Sequence, residues 1–157
     1  FFKNFLYVGI INIIKLLSFI FIILSLSSCE KKISTQVKEI HWDRDMCARC
    51  VMVVSDRNQT VQVTNPSDGK THVFDDIGCT ILWFKDQNIN WQDKAIIWIN
   101  DIKTAKWINA KTAFYDSMNV TPMAYGFGAH EQKEDIQAGL EIINYEEMKK
   151  RILETKK

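Results

Sequence analysis

The chain has 157 residues, of which 46% are hydrophobic and 25% are charged, and its 20 basic and 19 acidic residues nearly cancel. This balance gives no basic surface of the kind that nucleic-acid-binding domains carry. The length that remains after a hydrophobic leader is sufficient for one ordinary domain with its own core.

The hydrophobic leader ends in the sequence Leu26-Ser27-Ser28-Cys29. Two small residues before a Cys resemble a bacterial lipoprotein signal, in which the Cys is lipidated and becomes the new N-terminus. We therefore expect residues 1–28 to be a lipoprotein signal peptide and Cys29 to anchor the protein in the lipid bilayer, on the periplasmic side of the cell envelope. The alternative is an uncleaved transmembrane helix, because the apolar stretch is long enough to span a bilayer.

The chain after the leader divides into a tether and a domain. Residues 29–38 are largely polar and charged, which predicts a short tether from the lipid anchor. Residues 39–157 then form the predicted domain.

The first half of the domain contains strand-like runs followed by a helical pattern. β-branched residues at 51–54 and 60–63 predict a hairpin, and residues 71–74 predict a third strand. Asp75-Asp76 then offers an acidic N-cap for a helix over residues 75–85.

The second half repeats this order more weakly. Further strands are predicted at residues 94–99, 107–109, 112–115, 124–129 and 140–143, with a short helix at residues 131–139 and a C-terminal helix that carries Tyr145, Met148 and Ile152 on one face. Two groups of strands, each followed by a helix, predict an α+β fold, with a single small domain made of two similar ββα-type halves.

Two thiols and two thioethers lie within eight residues, Asp45-Met46-Cys47-Ala48-Arg49-Cys50-Val51-Met52. Thiolates and thioethers are soft ligands, which select Cu(I) over harder ions. On a strand, Cys50 and Met52 would share one face at a spacing of about 7 Å. Met123 lies far downstream in a loop marked by Pro and Gly and is a further candidate ligand.

Cys47 and Cys50 also form a Cys-x-x-Cys motif, whose spacing fits half a zinc site, a redox pair or a two-thiolate copper site. A zinc site needs two more ligands, and only Cys79 and three histidines remain, which argues against zinc. Cys79 lies inside the predicted helix and is interpreted as a buried structural thiol. His130, which follows the Met123 loop, is a less favoured ligand candidate. Thioredoxin-like chemistry fits less well, because the motif does not follow a strand that leads into a helix.

The combined motifs resemble the NosL family of copper-binding accessory lipoproteins of nitrous oxide reductase. The resemblance runs from about residue 45 to residue 147. It rests on Cys50-Val51-Met52, on Phe74-Asp75-Asp76-Ile77-Gly78-Cys79 and on Pro122-Met123-Ala124-Tyr125-Gly126-Phe127. The family commonly has Gly where this chain has Val51, and Gly after the downstream Met where this chain has Ala124. Neither difference removes a sulfur.

The resemblance implies Cu(I) binding by Cys50, Met52 and Met123, with Cys47 as a supporting ligand and no catalytic residue. It also implies delivery of copper to the copper–sulfide centre of nitrous oxide reductase and contact with a membrane transporter complex. We therefore expect a membrane-anchored Cu(I) chaperone that serves denitrification and is not an enzyme. The alternative is a periplasmic thiol–disulfide oxidoreductase that uses Cys47 and Cys50.

Overall fold

The computed structural model describes residues 15–18 and 33–155 and divides the chain into two units, Phe1–Lys32 and Ile33–Lys157. In the first unit, residues 15–18 are helical. Among the described residues, no helix is both long and apolar enough to cross a membrane. Cys29 and most of the predicted signal peptide lie outside the described residues.

The elements of the second unit are the strands β1 (Val61–Thr64), β2 (Thr71–Phe74), β3 (Ile96–Asn100), β4 (Trp107–Asn109), β5 (Phe114–Asp116) and β6 (Gly128–His130), the helices α1 (Ile77–Asp86) and α2 (Tyr145–Glu154), and the 3₁₀ turns Gln92–Lys94 and Lys133–Asp135.

An antiparallel four-stranded sheet in the order β2-β1-β3-β4 forms the centre of the second unit. Val61 pairs with Phe74 on β2 and with Ile99 on β3, so these side chains share one face of the sheet. Five apolar residues of this face are fully buried: Val61, Val63, Phe74, Ile97 and Ile99. Burial of a continuous apolar face is the main force that stabilises the domain.

The opposite face of the sheet contacts the segment that precedes the domain. The side-chain amide of Gln62 exchanges two hydrogen bonds with the backbone of Lys38, at 2.9 and 2.6 Å. Trp98, the cross-strand partner of Gln62, donates its indole N–H to the carbonyl of Thr35 at 2.8 Å. The described part of the predicted tether is therefore hydrogen-bonded to the sheet.

Helix α1 begins after Asp76, whose Oδ1 accepts a hydrogen bond from the amide of Gly78 at 2.8 Å. The helix is buried from Ile77 through Phe84 and packs against β1, β2 and α2. The predicted helix is confirmed, with Asp76 as its N-cap. A carboxylate at this position satisfies an amide that has no partner within the helix.

Strands β5 and β6 form a separate two-stranded sheet, and α2 packs against β5 and α1. Its buried residues Tyr145, Met148 and Ile152 form the predicted apolar face. The hydroxyl of the fully buried Tyr115 donates to the carbonyl of Ala110 at 2.7 Å. The α+β class is confirmed as a small domain with antiparallel sheets. The two sheets differ in size, because β3 and β4 extend the sheet of β1 and β2.

The predicted hairpin between residues 51–54 and 60–63 is wrong. Val53 makes only an isolated bridge with Met46, whereas β1 pairs with β2 and β3. A β-rich composition does not determine which run becomes a paired strand, because strand formation depends on the neighbours that tertiary packing supplies.

The segment between β6 and α2 is more irregular than predicted. Residues 131–139, predicted as a helix, contain only the 3₁₀ turn Lys133–Asp135. Residues 140–143, predicted as a strand, contribute a single bridge from Ile143 to Tyr115. Short helices depend on burial of an apolar face, and Ile136 is the one buried residue in this predicted helix.

Candidate metal centre

A tight turn brings the two thiols of the Cys-x-x-Cys motif together. The amide of Cys47 donates to the carbonyl of Met52 at 2.8 Å, and the amide of Val51 donates to the carbonyl of Cys47 at 3.0 Å. Val51 has a φ of 62°, a left-handed conformation that glycine adopts readily and β-branched residues rarely adopt. The prediction that Cys50 and Met52 share a strand face is therefore wrong, because Val51 breaks the alternation between them.

Two further elements meet this turn. The amide of Ala48 donates to the carbonyl of Val73 at 2.9 Å, which attaches the turn to the edge strand β2. Asp75 follows that strand, and Cys79 lies in the first turns of α1. The ligand atoms of four residues, here called the thiol cluster, all lie within 4.8 Å of one another: Cys47, Cys50, Asp75 and Cys79. Ligands about 2.3 Å from a tetrahedral ion stand about 3.8 Å apart, so small side-chain adjustments bring these four onto one ion.

The thiol cluster is buried on one side and accessible on the other. Cys47, Asp75 and Cys79 are at most 2% exposed, whereas Cys50 is only half-buried. The thiol of Cys50 lies 3.5 Å from both carboxylate oxygens of Asp75. The described cysteines form no disulfide, so their three thiols are free to bind an ion.

Hydrogen bonding and burial give the three thiols different acidities. The thiol of Cys79 donates a hydrogen bond to the sulfur of Cys47. This bond and those from backbone N–H groups hold the pKa of Cys47 well below its usual range, although burial alone would raise it. The same hydrogen bond and burial raise the pKa of Cys79 far above its usual range. Burial raises the pKa of Cys50 to about 11 and that of Asp75 to about 6. At neutral pH, Cys47 is therefore a thiolate while Cys50 and Cys79 hold their protons.

The loop that carries Met123 lies against the N-terminus of α1. The amide of Met123 donates to Oδ2 of Asp76 at 3.3 Å. The ring of Tyr125 covers Gly78 so closely that a Cβ at Gly78 would overlap the ring atoms. The guanidinium of Arg49 lies 3.4 Å from the hydroxyl of Tyr125. These contacts hold the loop beside the elements that carry Asp75 and Cys79.

The predicted ligands are placed in different surroundings. Cys47 and Cys50 both lie in the thiol cluster. Met52 lies across the turn from Cys47 and is 50% exposed, and Met123 is half-buried. Their roles as ligands stay predictions. His130 is not among the clustered donors, because it lies on β6 with its Nε2 3.4 Å from Oδ2 of Asp116.

Asp75 and Cys79 belong to the centre although the sequence motifs do not predict them as members. The acidic pair before the helix predicts a cap, but the cap is made by Asp76. The position of Cys79 inside the helix predicts a buried structural thiol, but Cys79 lies with the other two described thiols. No local pattern marks this pair, because Asp75 precedes the helix cap Asp76 and the spacing rule for residues on one helix face does not apply to it.

Three thiols and one carboxylate form a donor set that suits two kinds of ion. Thiolates favour Cu(I), and three sulfurs with one oxygen also satisfy the tetrahedral preference of Zn²⁺. The objection that zinc lacks two further ligands no longer holds, because Asp75 and Cys79 supply them. The geometry therefore indicates a metal-binding centre built around the Cys-x-x-Cys turn.

Comparison with known proteins finds no matching family model and no matching curated protein sequence. Among solved structures, the chain is similar to the crystal structure of the copper chaperone NosL from Shewanella denitrificans. The TM-score is 0.54 at 15% sequence identity, over 73% of this chain and 96% of that chain. The predicted resemblance to NosL is thus confirmed at the level of the fold.

Proposed function

We propose that this protein is a Cu(I) chaperone, which carries the ion as cargo and catalyses no reaction. The observation that carries the proposal is the convergence of three thiols and one carboxylate within 4.8 Å in a domain with the fold of a copper chaperone. Cys47, Cys50 and Cys79 supply the anionic sulfur that holds Cu(I). Met52, in the same turn as Cys47, and Met123, whose loop is hydrogen-bonded to Asp76, would add neutral thioethers.

The difference in burial among the thiols gives a route for transfer. Cys47 and Cys79 are 2% or less exposed, while Cys50 is half-buried and the neighbouring Met52 is 50% exposed. A ligand from a receiving protein binds the ion from the Cys50 side before the buried sulfurs release it. The ion then passes by stepwise exchange of ligands and is never free in solution.

The test is a Cu(I) titration of the full chain in detergent under reducing conditions. We expect about one Cu(I) per chain, because the cluster offers one set of converging sulfurs. X-ray absorption should show a low-coordinate ion surrounded mainly by sulfur. A coordination shell dominated by nitrogen or oxygen would contradict the proposal.

A structural zinc site is the second candidate function for the same residues. It is favoured by the presence of four donors of the type and number that tetrahedral Zn²⁺ requires. The two functions differ in reversibility, since a structural ion stays bound and a cargo ion leaves. If the protein purifies with one tightly held zinc that Cu(I) does not displace, the zinc function is correct.

The thiol–disulfide oxidoreductase is the alternative from another class. The Cys-x-x-Cys motif lies in a turn, whereas redox motifs of the thioredoxin type lie where a strand leads into a helix. Cys47 as a stable thiolate is compatible with both functions. Rapid reduction of a disulfide substrate by the metal-free protein, abolished by Cys47→Ser, would favour the oxidoreductase.

We propose nitrous oxide reductase as the recipient, with a membrane transporter complex as a further partner, on the basis of the sequence resemblance to the NosL family. We also propose, on the same resemblance, that the domain consists of two similar ββα-type halves. The test is transfer in vitro: the Cu(I)-loaded chain is incubated with copper-free nitrous oxide reductase, the two proteins are separated, and the copper bound to the reductase is measured. Equal uptake from a free Cu(I) complex would argue against a dedicated carrier.

We further propose that Cys29 anchors the protein by lipid to the periplasmic side of the cell envelope. The proposal is supported by the small residues that precede this Cys and by the hydrophobic leader. Cys29→Ala should abolish incorporation of labelled fatty acid and block processing of the leader in cells. Normal processing of this variant would identify an ordinary signal peptide instead.

A further inference from the structure

Asp76 connects the helix that carries Cys79 to the loop that carries Met123. We propose that Asp76 is a positioning residue, which holds Met123 beside the thiol cluster so that its thioether completes the Cu(I) site. The inference rests on the proposed function and deepens it, because it assigns a role to a residue that touches no ion.

The two carboxylate oxygens of Asp76 have different partners. Oδ1 accepts from the amide of Gly78 and caps α1 at 2.8 Å, whereas Oδ2 accepts from the amide of Met123 at 3.3 Å. The hydroxyl of Thr121 is a further hydrogen-bonding partner of the carboxylate. Asp76 is 1% exposed, so these partners replace the water that the carboxylate loses.

The loop depends on such contacts because it contains no regular secondary structure. Between Ser117 and Phe127 the backbone takes left-handed φ values of 81° at Met118 and 56° at Ala124, which non-glycine residues adopt at a cost. The loop closes on itself where the amide of Asn119 donates to the carbonyl of Gly126 at 3.0 Å. The hydrogen bonds to Asp76 then fix this closed loop to α1.

Asp76→Asn separates the two roles of the side chain. Asparagine is as good an N-cap as aspartate, so its carbonyl oxygen keeps the hydrogen bond to Gly78. Its amide nitrogen cannot accept from the amide of Met123, so that contact is lost while the helix cap is kept. We expect the Cu(I) affinity to fall about 10- to 100-fold, as is usual when a group that orients a ligand is removed.

A double-mutant cycle with Met123→Leu identifies the route of the effect. If Asp76 acts through Met123, the two substitutions together should cost little more than Met123→Leu alone. X-ray absorption of the Asp76→Asn protein should show one fewer sulfur neighbour, which a general loss of stability would not produce. Additive losses of affinity would overturn the inference and leave Asp76 with the helix cap as its role.

Asp101→Asn provides the matched control. Asp101 is also 1% exposed and its carboxylate accepts from the amides of Lys103, Thr104 and Glu131, in another loop. Its replacement should lower the melting temperature without changing the Cu(I) affinity. If the unaltered chain binds no Cu(I), the proposed function fails; if it binds Cu(I) and Asp76→Asn binds equally well, only the positioning role fails.

Discussion

Replacement of Cys79 by serine is expected to lower the affinity for Cu(I) more than about 100-fold. Loss of a group that only orients a ligand costs up to about 100-fold, and loss of a ligand itself should cost more. Cys79 is fully buried, and its ligand atom lies within 4.8 Å of those of Cys47, Cys50 and Asp75. A serine hydroxyl is a hard donor that does not replace a thiolate on a soft ion. The measurement is competition for Cu(I) against a chromophoric chelator at fixed pH.

The control for folding is Thr80→Val in the same turn of α1. The hydroxyl of Thr80 is buried and has no hydrogen-bond partner among the described residues, so this substitution changes a buried side chain without touching a sulfur. We expect Thr80→Val to leave the affinity unchanged. If Cys79→Ser also leaves it unchanged, Cu(I) is held by the residues that the sequence predicted, Cys50, Met52 and Met123 with Cys47, and Cys79 is a structural thiol after all.

Much of the fold was predictable because its elements are marked by local chemistry. The carboxylates before Ile77 and the apolar residues at helical spacing after it predicted α1, and the apolar face of Tyr145, Met148 and Ile152 predicted α2. The structure confirms both helices, and the bounds of α1 lie within two residues of the predicted 75–85. The limits predicted for the strand at residues 107–109 agree with those of β4.

The pairing of strands was less predictable, because it depends on neighbours distant in the sequence. Residues 51–54 are as β-rich as β1, yet they form the end of a turn rather than a sheet strand. No glycine marks the left-handed position of Val51 in this chain, although the NosL family that it resembles commonly has Gly there. This residue decides the direction of the chain between Cys50 and Met52.

Two of the four residues of the candidate centre could be predicted from the sequence. Cys47 and Cys50 are marked by their spacing, whereas Asp75 and Cys79 join them only because the amide of Ala48 attaches the turn to β2. An acidic residue before a helix has a sufficient explanation as a cap, and a Cys in an apolar helix has one as a core residue. Tertiary proximity alone distinguishes these roles from metal binding.

The second large effect is expected in the pH dependence of Cu(I) binding. Burial raises the pKa of Cys50 to about 11. The pKa of Cys79 is raised by the hydrogen bond that Cys79 donates to Cys47 and by burial. Both thiols are therefore protonated between pH 7 and 9. Cys47 is already a thiolate and Asp75, with a pKa of about 6, already a carboxylate in this range. Binding through all three thiols therefore releases two protons, one from Cys50 and one from Cys79.

Affinity should accordingly rise about 100-fold for each pH unit between pH 7 and 9, about tenfold for each proton released. Thioethers bind without losing a proton, so a site made of Cys50, Met52 and Met123, with or without the thiolate of Cys47, releases one proton and gives a tenfold rise. Calorimetric titrations in buffers of different ionisation enthalpy count the released protons directly. The hydroxyl of serine also donates a hydrogen bond, which keeps Cys47 a thiolate, so Cys79→Ser should reduce the count from two to one. A count of one in the unaltered protein would exclude Cys79 from the site and return the assignment to the sulfur ligands predicted from the sequence.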